Sequence, residues 1–95
     1  MGIELLEEFR TEIIEIARRH GVADIRVFGS VARGEAGPES DVDFLVTVSG
    51  QPSPWFPGGL VVDLEELLGR HVQVVTDQGL HDLIREQVLS EAVPL

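Results

Sequence analysis

The chain has 95 residues, which is enough for one small domain, and its 7 Lys and Arg against 17 Asp and Glu give a formal net charge of −10. We therefore expect residues 1–95 to form a single domain, and its acidity argues against binding to duplex DNA, whose phosphates need a basic surface. The absence of cysteine excludes disulfides, and the acidic start and the lack of a long apolar run predict a cytoplasmic protein without a membrane span.

The first predicted element is an amphipathic helix over residues 3–20. Its apolar residues recur at steps of three and four, and glutamates fill the other side. Arg18 and Arg19 lie in the last turn and Gly21 follows, which is typical of a helix C-terminus. His20 is accordingly interpreted as a cap or a partner of the helix dipole rather than as a catalytic residue.

Two strands are predicted next, over 24–28 and 41–48, separated by about one helical turn and a loop over 35–40. Because this connection is too short for a regular crossover between parallel strands, we expect the two strands to be antiparallel. The second strand is apolar without interruption after Asp43, which predicts a central strand buried on both faces.

The second half of the chain reads as a connector over 49–59, a helix over 60–69, a strand over 71–76 and a helix over 80–91. The order of elements predicts an α/β (α+β) fold in which helices cover a small three-stranded mixed sheet.

Two adjacent aromatic residues, Trp55 and Phe56, lie in this connector. We expect them to fold back on the core, as aromatic residues of small domains usually do. The alternative is that they close over a nucleotide base or a partner protein.

Four residues at the ends of the first two strands carry the chemistry. Asp41 and Asp43 are two apart on a strand, so their side chains point the same way and repel each other unless a cation lies between them. Mg²⁺ or Mn²⁺ is the natural counter-ion. Upstream, Gly29 lets the backbone approach a phosphate closely, and a helix that begins at Ser30 would aim N–H groups at it. The spacing predicts a site for a metal-bound nucleotide.

The segments Phe28-Gly-Ser-Val-Ala-Arg-Gly-Glu-Ala and Glu39-Ser-Asp-Val-Asp-Phe-Leu-Val resemble the signature of the nucleotidyltransferase superfamily, which has the polymerase-β-like fold. Together they are most similar to the minimal nucleotidyltransferases, stand-alone domains of about this size that are often paired with a helical HEPN protein. The end of the chain, residues 88–95, is similar to that family as well, so the resemblance covers nearly the whole sequence.

The resemblance implies a role for each matching position. Gly29 and Ser30 would hold the β- and γ-phosphates of ATP, and Asp41 and Asp43 would be catalytic and would ligate the Mg²⁺ or Mn²⁺ ions that bridge those phosphates. The implied reaction moves AMP from ATP to a hydroxyl, with release of pyrophosphate. In the family context the acceptor is a tyrosine of the paired HEPN toxin, and the enzyme is the antitoxin.

Arg33 matches a basic position that is common after the Gly-Ser pair of the family. It is interpreted in two ways with equal weight. Its guanidinium either binds phosphate in a bidentate manner or forms a surface salt bridge to Glu35 or Glu39.

One position departs from the family pattern, because Gln73 stands where the family usually supplies a third carboxylate. An amide oxygen can ligate a hard cation but carries no charge and cannot act as a base. The nearest other carboxylates are Asp77 and Asp63, which we interpret as a turn residue and an acid near a helix N-terminus.

Two functions therefore stay open at the level of the sequence. The first is an active nucleotidyltransferase antitoxin. The second is a catalytically degenerate antitoxin that binds a nucleotide or only its partner and neutralises the toxin by contact, for which a surface charge of −10 would complement a basic partner.

Overall fold

The computed structural model describes residues 3–37 and 39–95, so Pro38 of the predicted 35–40 loop and the first two residues lie outside the described residues. The elements in chain order are α1 Glu4–Glu7, α2 Arg10–Arg19, β1 Val22–Phe28, α3 Gly29–Arg33, β2 Val42–Val48, α4 Gly58–Leu68, β3 Val72–Thr76, α5 Asp82–Glu91 and β4 Val93–Pro94. Among the helices in these ranges, none combines the length and the apolar character needed to span a bilayer.

The sheet has four strands in the order β3-β2-β1-β4. β1 and β2 are antiparallel, as the short connection predicts, and β2 and β3 are parallel, which makes the sheet mixed. The prediction of three strands was wrong, because residues 93 and 94 add a short strand antiparallel to β1. Two residues are too few to show a strand period in the sequence, and Pro94 is a residue that sheets tolerate at an edge.

The predicted first helix over 3–20 was also wrong as a single element. The chain leaves helical geometry at Phe9, whose φ and ψ are −107° and 11°, and whose N–H donates to the Leu6 carbonyl at 3.0 Å. Leu6 and Ile13 are nevertheless both fully buried, so the apolar period continues across the break. With no Pro or Gly at the break, the sequence carries no signal for it.

The two faces of β2 are both covered, as its uninterrupted apolar run predicts. Phe44 and Val46 belong to the main core, which also contains residues of α2 and α4, whereas Leu45 packs on the opposite face with Leu80 and Val88 of the α5 region. Each of the three β2 side chains is fully buried, and burial of that kind contributes about 1.5–3 kcal/mol per large apolar side chain. β2 is therefore a rigid support for whatever its first residues carry.

The two aromatic residues of the connector before α4 differ in their surroundings. Phe56 packs against the main core, as expected, but the prediction was wrong for Trp55, whose side chain is 82% exposed. The Trp55 carbonyl accepts from the Gly59 N–H at 2.8 Å, so its backbone forms the turn that starts α4 while its ring faces solvent.

His20 follows the last residue of α2, as a cap should, and its ring makes two long-range contacts. Nδ1 lies 2.6 Å from the Ser53 hydroxyl, and Nε2 lies 2.7 Å from an Asp63 carboxylate oxygen. Because α4 begins at Gly58, Asp63 lies within the helix rather than near its N-terminus, and it contacts the end of α2 through His20. Asp77 is a turn residue, as predicted, and accepts from the Gln78 N–H and from the Thr47 hydroxyl.

Candidate functional site

The site lies where β1 ends and β2 begins. In the antiparallel register Phe28 is opposite Asp43, and in the parallel register Asp43 is opposite Gln73 of β3. Because α3 starts at Gly29, directly after β1, the Gly-Ser turn comes to the same end of the sheet as the acidic pair. The ten residues between the two parts of the sequence signature therefore leave the sheet and return to the same end of it.

Gly29 touches the carboxylate of Asp43. Its φ is +74°, a conformation that residues with a Cβ rarely adopt, and a Cβ built at this position would overlap Asp43 Oδ2 and lie 3.2 Å from its Cγ. Glycine is therefore needed at this position both for the backbone conformation and for the close approach of the acid. This contact is the observation that joins the Gly-Ser turn to the two aspartates.

The short helix α3 presents its N-terminus at this contact. Phe28 occupies the cap position in an extended conformation, and within the described residues no side chain caps the first turn. The first N–H groups of a helix have no partner inside it, so those at Gly29 and Ser30 are suited to an external acceptor such as phosphate. Fully buried Val31 holds the helix on the core, and Gly34 ends it in a left-handed conformation.

The two aspartates differ in their surroundings. Asp41 precedes β2 and is exposed, whereas Asp43 lies within β2 and is half-buried. Burial, followed by the negative charge of Asp41, raises the pKa of Asp43, and the positive charge of Arg33 opposes this effect. Two neighbouring carboxylates, one of them half-buried, suit a hard divalent cation, which would offset their repulsion.

Arg33 ends α3 and is held by two glutamates. Its Nε donates to Glu35 at 3.2 Å and its Nη1 donates to Glu91 at 3.0 Å. The expected salt bridge to Glu35 is thus present, and the one to Glu39 is absent from the pairs found in the described part of the chain. Sequence reasoning missed Glu91 because it is 58 residues away and brought close only by the packing of α5 beside α3.

The comparisons with known proteins agree on the family. The model of the nucleotidyltransferase domain family matches residues 6–95. The chain belongs to this family. A protein adenylyltransferase named MntA from Thermococcus cleftensis is 44% identical over 97 aligned positions, which cover 98% of each chain.

Two solved structures extend this agreement to the fold. A structure assigned as a minimal nucleotidyltransferase is 44% identical, with a TM-score of 0.86, and covers 100% of this chain and 97% of its own. A toxin–antitoxin complex crystallised with AMP-PNP contains a chain of the same fold, 22% identical with a TM-score of 0.75, over 88% of this chain and 69% of that one. The predicted polymerase-β-like nucleotidyltransferase fold is confirmed.

In this nucleotidyltransferase domain Gln73 lies beside Asp43, on the neighbouring strand and in register with it. Residues opposite each other on adjacent strands project from the same face of a sheet, so the amide side chain belongs to the same wall of the site. Asp63 and Asp77 are engaged elsewhere, and no group of three or more His, Asp or Glu side chains suited to a metal occurs within residues 3–37 and 39–95.

Proposed function

We propose that this domain is a nucleotidyltransferase antitoxin that transfers AMP from ATP to a hydroxyl group of a helical, HEPN-type partner protein in the cytoplasm. The observation that carries the proposal is the contact between Gly29 and Asp43, which brings the Gly-Ser turn and the acidic pair together. Support for the choice of reaction comes from the relative named a protein adenylyltransferase, and support for the partner comes from the toxin–antitoxin complexes of the same fold.

In the proposed reaction the acceptor hydroxyl loses its proton to solvent and its oxygen forms a bond to the α-phosphorus of ATP. The bond from that phosphorus to the oxygen that bridges the α- and β-phosphates breaks, and pyrophosphate leaves. Gly29 and Ser30 bind the β- and γ-phosphates through backbone N–H groups, and Arg33 adds a guanidinium. Asp41 and Asp43 would hold Mg²⁺ or Mn²⁺, which supplies charge neutralisation at the phosphates when bound. Asp43 supplies the half-buried carboxylate of the pair and Asp41 the exposed one.

The direct test is mass spectrometry of the partner protein after incubation with this domain, ATP and Mg²⁺. We expect the partner to gain the mass of one AMP group per modified hydroxyl. Asp41→Asn should abolish the gain, whereas Asp82→Asn, which removes the same charge from the exposed start of α5, should leave it unchanged. No added nucleotide with any nucleoside triphosphate or divalent metal would refute transfer.

A second function is favoured by one specific feature, the amide of Gln73 in place of a third acid. A domain with two carboxylates would then bind its partner and neutralise it by contact without transfer. Gln73→Asp separates the two possibilities. If the substitution creates transfer in a chain that has none, the natural domain is a binder; if the natural chain already transfers AMP and Asp41→Asn stops it, the enzyme is established.

A further inference from the structure

We propose that Glu91 is a positioning residue of the nucleotide site, holding Arg33 so that one end of its guanidinium is free for the triphosphate. The inference rests on the proposed nucleotide binding and adds to it a residue from the far end of the chain. Glu91 contacts only Arg33 in this role and would not touch the nucleotide.

The hydrogen bonds of Arg33 leave a defined part of the side chain available. A guanidinium has five N–H donors in a rigid fork. Glu35 takes Nε and Glu91 takes Nη1, whereas no bond is found at Nη2 in the part of the chain that the structure describes. The hydrogen bond to Glu91 is also the main reason that the pKa of Arg33 lies above its ordinary value. A phosphate that binds at Nη2 would leave both existing bonds intact.

Glu91 is better placed than Glu35 to fix Arg33 relative to the acidic pair. The Glu35 side chain is 60% exposed and follows Arg33 by two residues, so it moves with the same loop, whereas the Glu91 side chain is only 21% exposed. Glu91 belongs to α5, which is anchored through Val88 to Leu45 on β2. Since β2 also carries Asp43, the bond from Glu91 links the guanidinium of Arg33 to the strand that carries this proposed metal ligand.

Two effects of Glu91 on nucleotide binding oppose each other. Its negative charge repels the triphosphate, and because a phosphate on the same guanidinium would lie within the screening length of about 8 Å, salt weakens this repulsion only in part. Its bond to Arg33 removes rotamer freedom that a flexible arginine would otherwise lose on binding. Because the carboxylate of Glu91 is already paired with the guanidinium of Arg33 at 3.0 Å, we expect preorganisation to outweigh repulsion.

The test is a set of dissociation constants for ATP with Mg²⁺ at 0.15 M salt, roughly the physiological value. We expect Glu91→Gln to weaken binding roughly threefold to tenfold, the cost of immobilising one long side chain. Glu86→Gln, which removes the same charge from an exposed position of the same helix, should leave binding unchanged. In an Arg33→Ala background Glu91→Gln should have no further effect.

A second readout follows Arg33 itself. In ¹H–¹⁵N spectra the Nη1–H signals of Arg33, which Glu91 holds, should be resolved and shifted in the natural chain and should move toward those of a free arginine in Glu91→Gln, whereas the Nε–H signal, which Glu35 holds, should change less. Tighter binding in Glu91→Gln would show that repulsion dominates, and an equal loss in the Arg33→Ala background would show a general effect of α5; either result overturns the proposal. If the natural chain does not bind ATP at all, the proposed nucleotide binding is refuted together with the role of Glu91. If the natural chain binds ATP and Glu91→Gln binds it equally well, only the role of Glu91 is refuted.

Discussion

Two glycines at opposite ends of the same short helix show how much a single residue decides in this site. Gly29 and Gly34 have nearly the same φ, +74° and +76°. A Cβ at Gly34 would meet nothing within 4 Å, whereas at Gly29 it would overlap the carboxylate of Asp43. Both positions therefore favour glycine because of φ, but only Gly29 is also needed for the close approach of Asp43.

We expect Gly29→Ala and Gly34→Ala each to lower the free energy of unfolding by about 1–3 kcal/mol, the usual cost of a left-handed conformation in a residue with a Cβ. Only Gly29→Ala should also abolish binding of ATP with Mg²⁺, because the methyl group displaces Asp43. Urea unfolding and ATP titration of both variants measure the two effects. Equal ATP binding by the two variants would contradict the contact.

The electrostatic balance of Asp43 predicts a dependence of stability on pH. Its pKa is raised above the ordinary value of 3.8, so the folded state binds this proton more tightly than the unfolded chain does. The resulting contribution to stability is fully present below about pH 3.8 and is lost as the pH rises through the raised pKa.

We therefore expect Asp43→Asn to stabilise the metal-free domain at pH 7, with a gain that disappears as the pH is lowered below 3.8. Added Mg²⁺ should raise the melting temperature of the natural chain more than that of the variant, because only the natural chain keeps both carboxylates. Thermal unfolding with EDTA and with Mg²⁺ tests this, with Glu66→Gln on the exposed side of α4 as the control for loss of one charge. A variant less stable than the natural chain at pH 7 in EDTA would be inconsistent with the raised pKa.

At the scale of the elements, polar side chains join segments that are distant from one another in the chain. His20 at the end of α2 bonds to Ser53 in the connector and to Asp63 in α4, and its ring lies 3.0 Å from the position that a Cβ on Gly59 would take. The histidine thus links two helices and the loop between β2 and α4. α5, at the other side of the sheet, is linked to α3 by the pair of Arg33 and Glu91.

We expect His20→Ala to lower the free energy of unfolding by about 1–2 kcal/mol, because two hydrogen bonds of roughly 1 kcal/mol each are lost. His71→Ala is the matched control, since that side chain is 88% exposed and lies 3.5 Å from Glu65, against 13% exposure for His20. Chemical denaturation of both variants measures the difference. Equal losses, or none in His20→Ala, would show that the linkage does not stabilise the fold.

The arrangement of elements shows which parts of the fold have a local cause. The antiparallel pair β1–β2 and the two-sided burial of β2 follow from a short connection and an unbroken apolar run, and both were predicted from the sequence. The break between α1 and α2 was not, because Leu6 and Ile13 keep the apolar period on either side of it. The exposed ring of Trp55 was missed because a turn, rather than hydrophobicity, sets its direction.

At the scale of the whole molecule, the net charge of −10 in 95 residues imposes self-repulsion on the folded state. Many of the acids lie on exposed helix surfaces, where salt screens their interactions.

We therefore expect the melting temperature at pH 7 to rise by a few degrees when monovalent salt is increased from low concentration to about 0.1 M, where the screening length is roughly 10 Å. Near pH 4, about the ordinary pKa of carboxylates, the same addition should have little effect because much of the charge is neutralised. Differential scanning calorimetry at the two pH values measures this. A melting temperature at pH 7 that falls with salt would indicate that favourable ion pairs outweigh the repulsion.

The sequence by itself determined the class of fold, the central strand and the two halves of the candidate site, because each depends on local pattern: a Gly-Ser turn after a strand, and alternate acids at the start of the next. Only the tertiary structure placed Gly29 against Asp43, Gln73 in register beside it, and Glu91 on Arg33. It also added the two-residue strand β4. These features depend on strand register and helix packing between residues distant in the chain, and such contacts leave no periodic trace in the sequence.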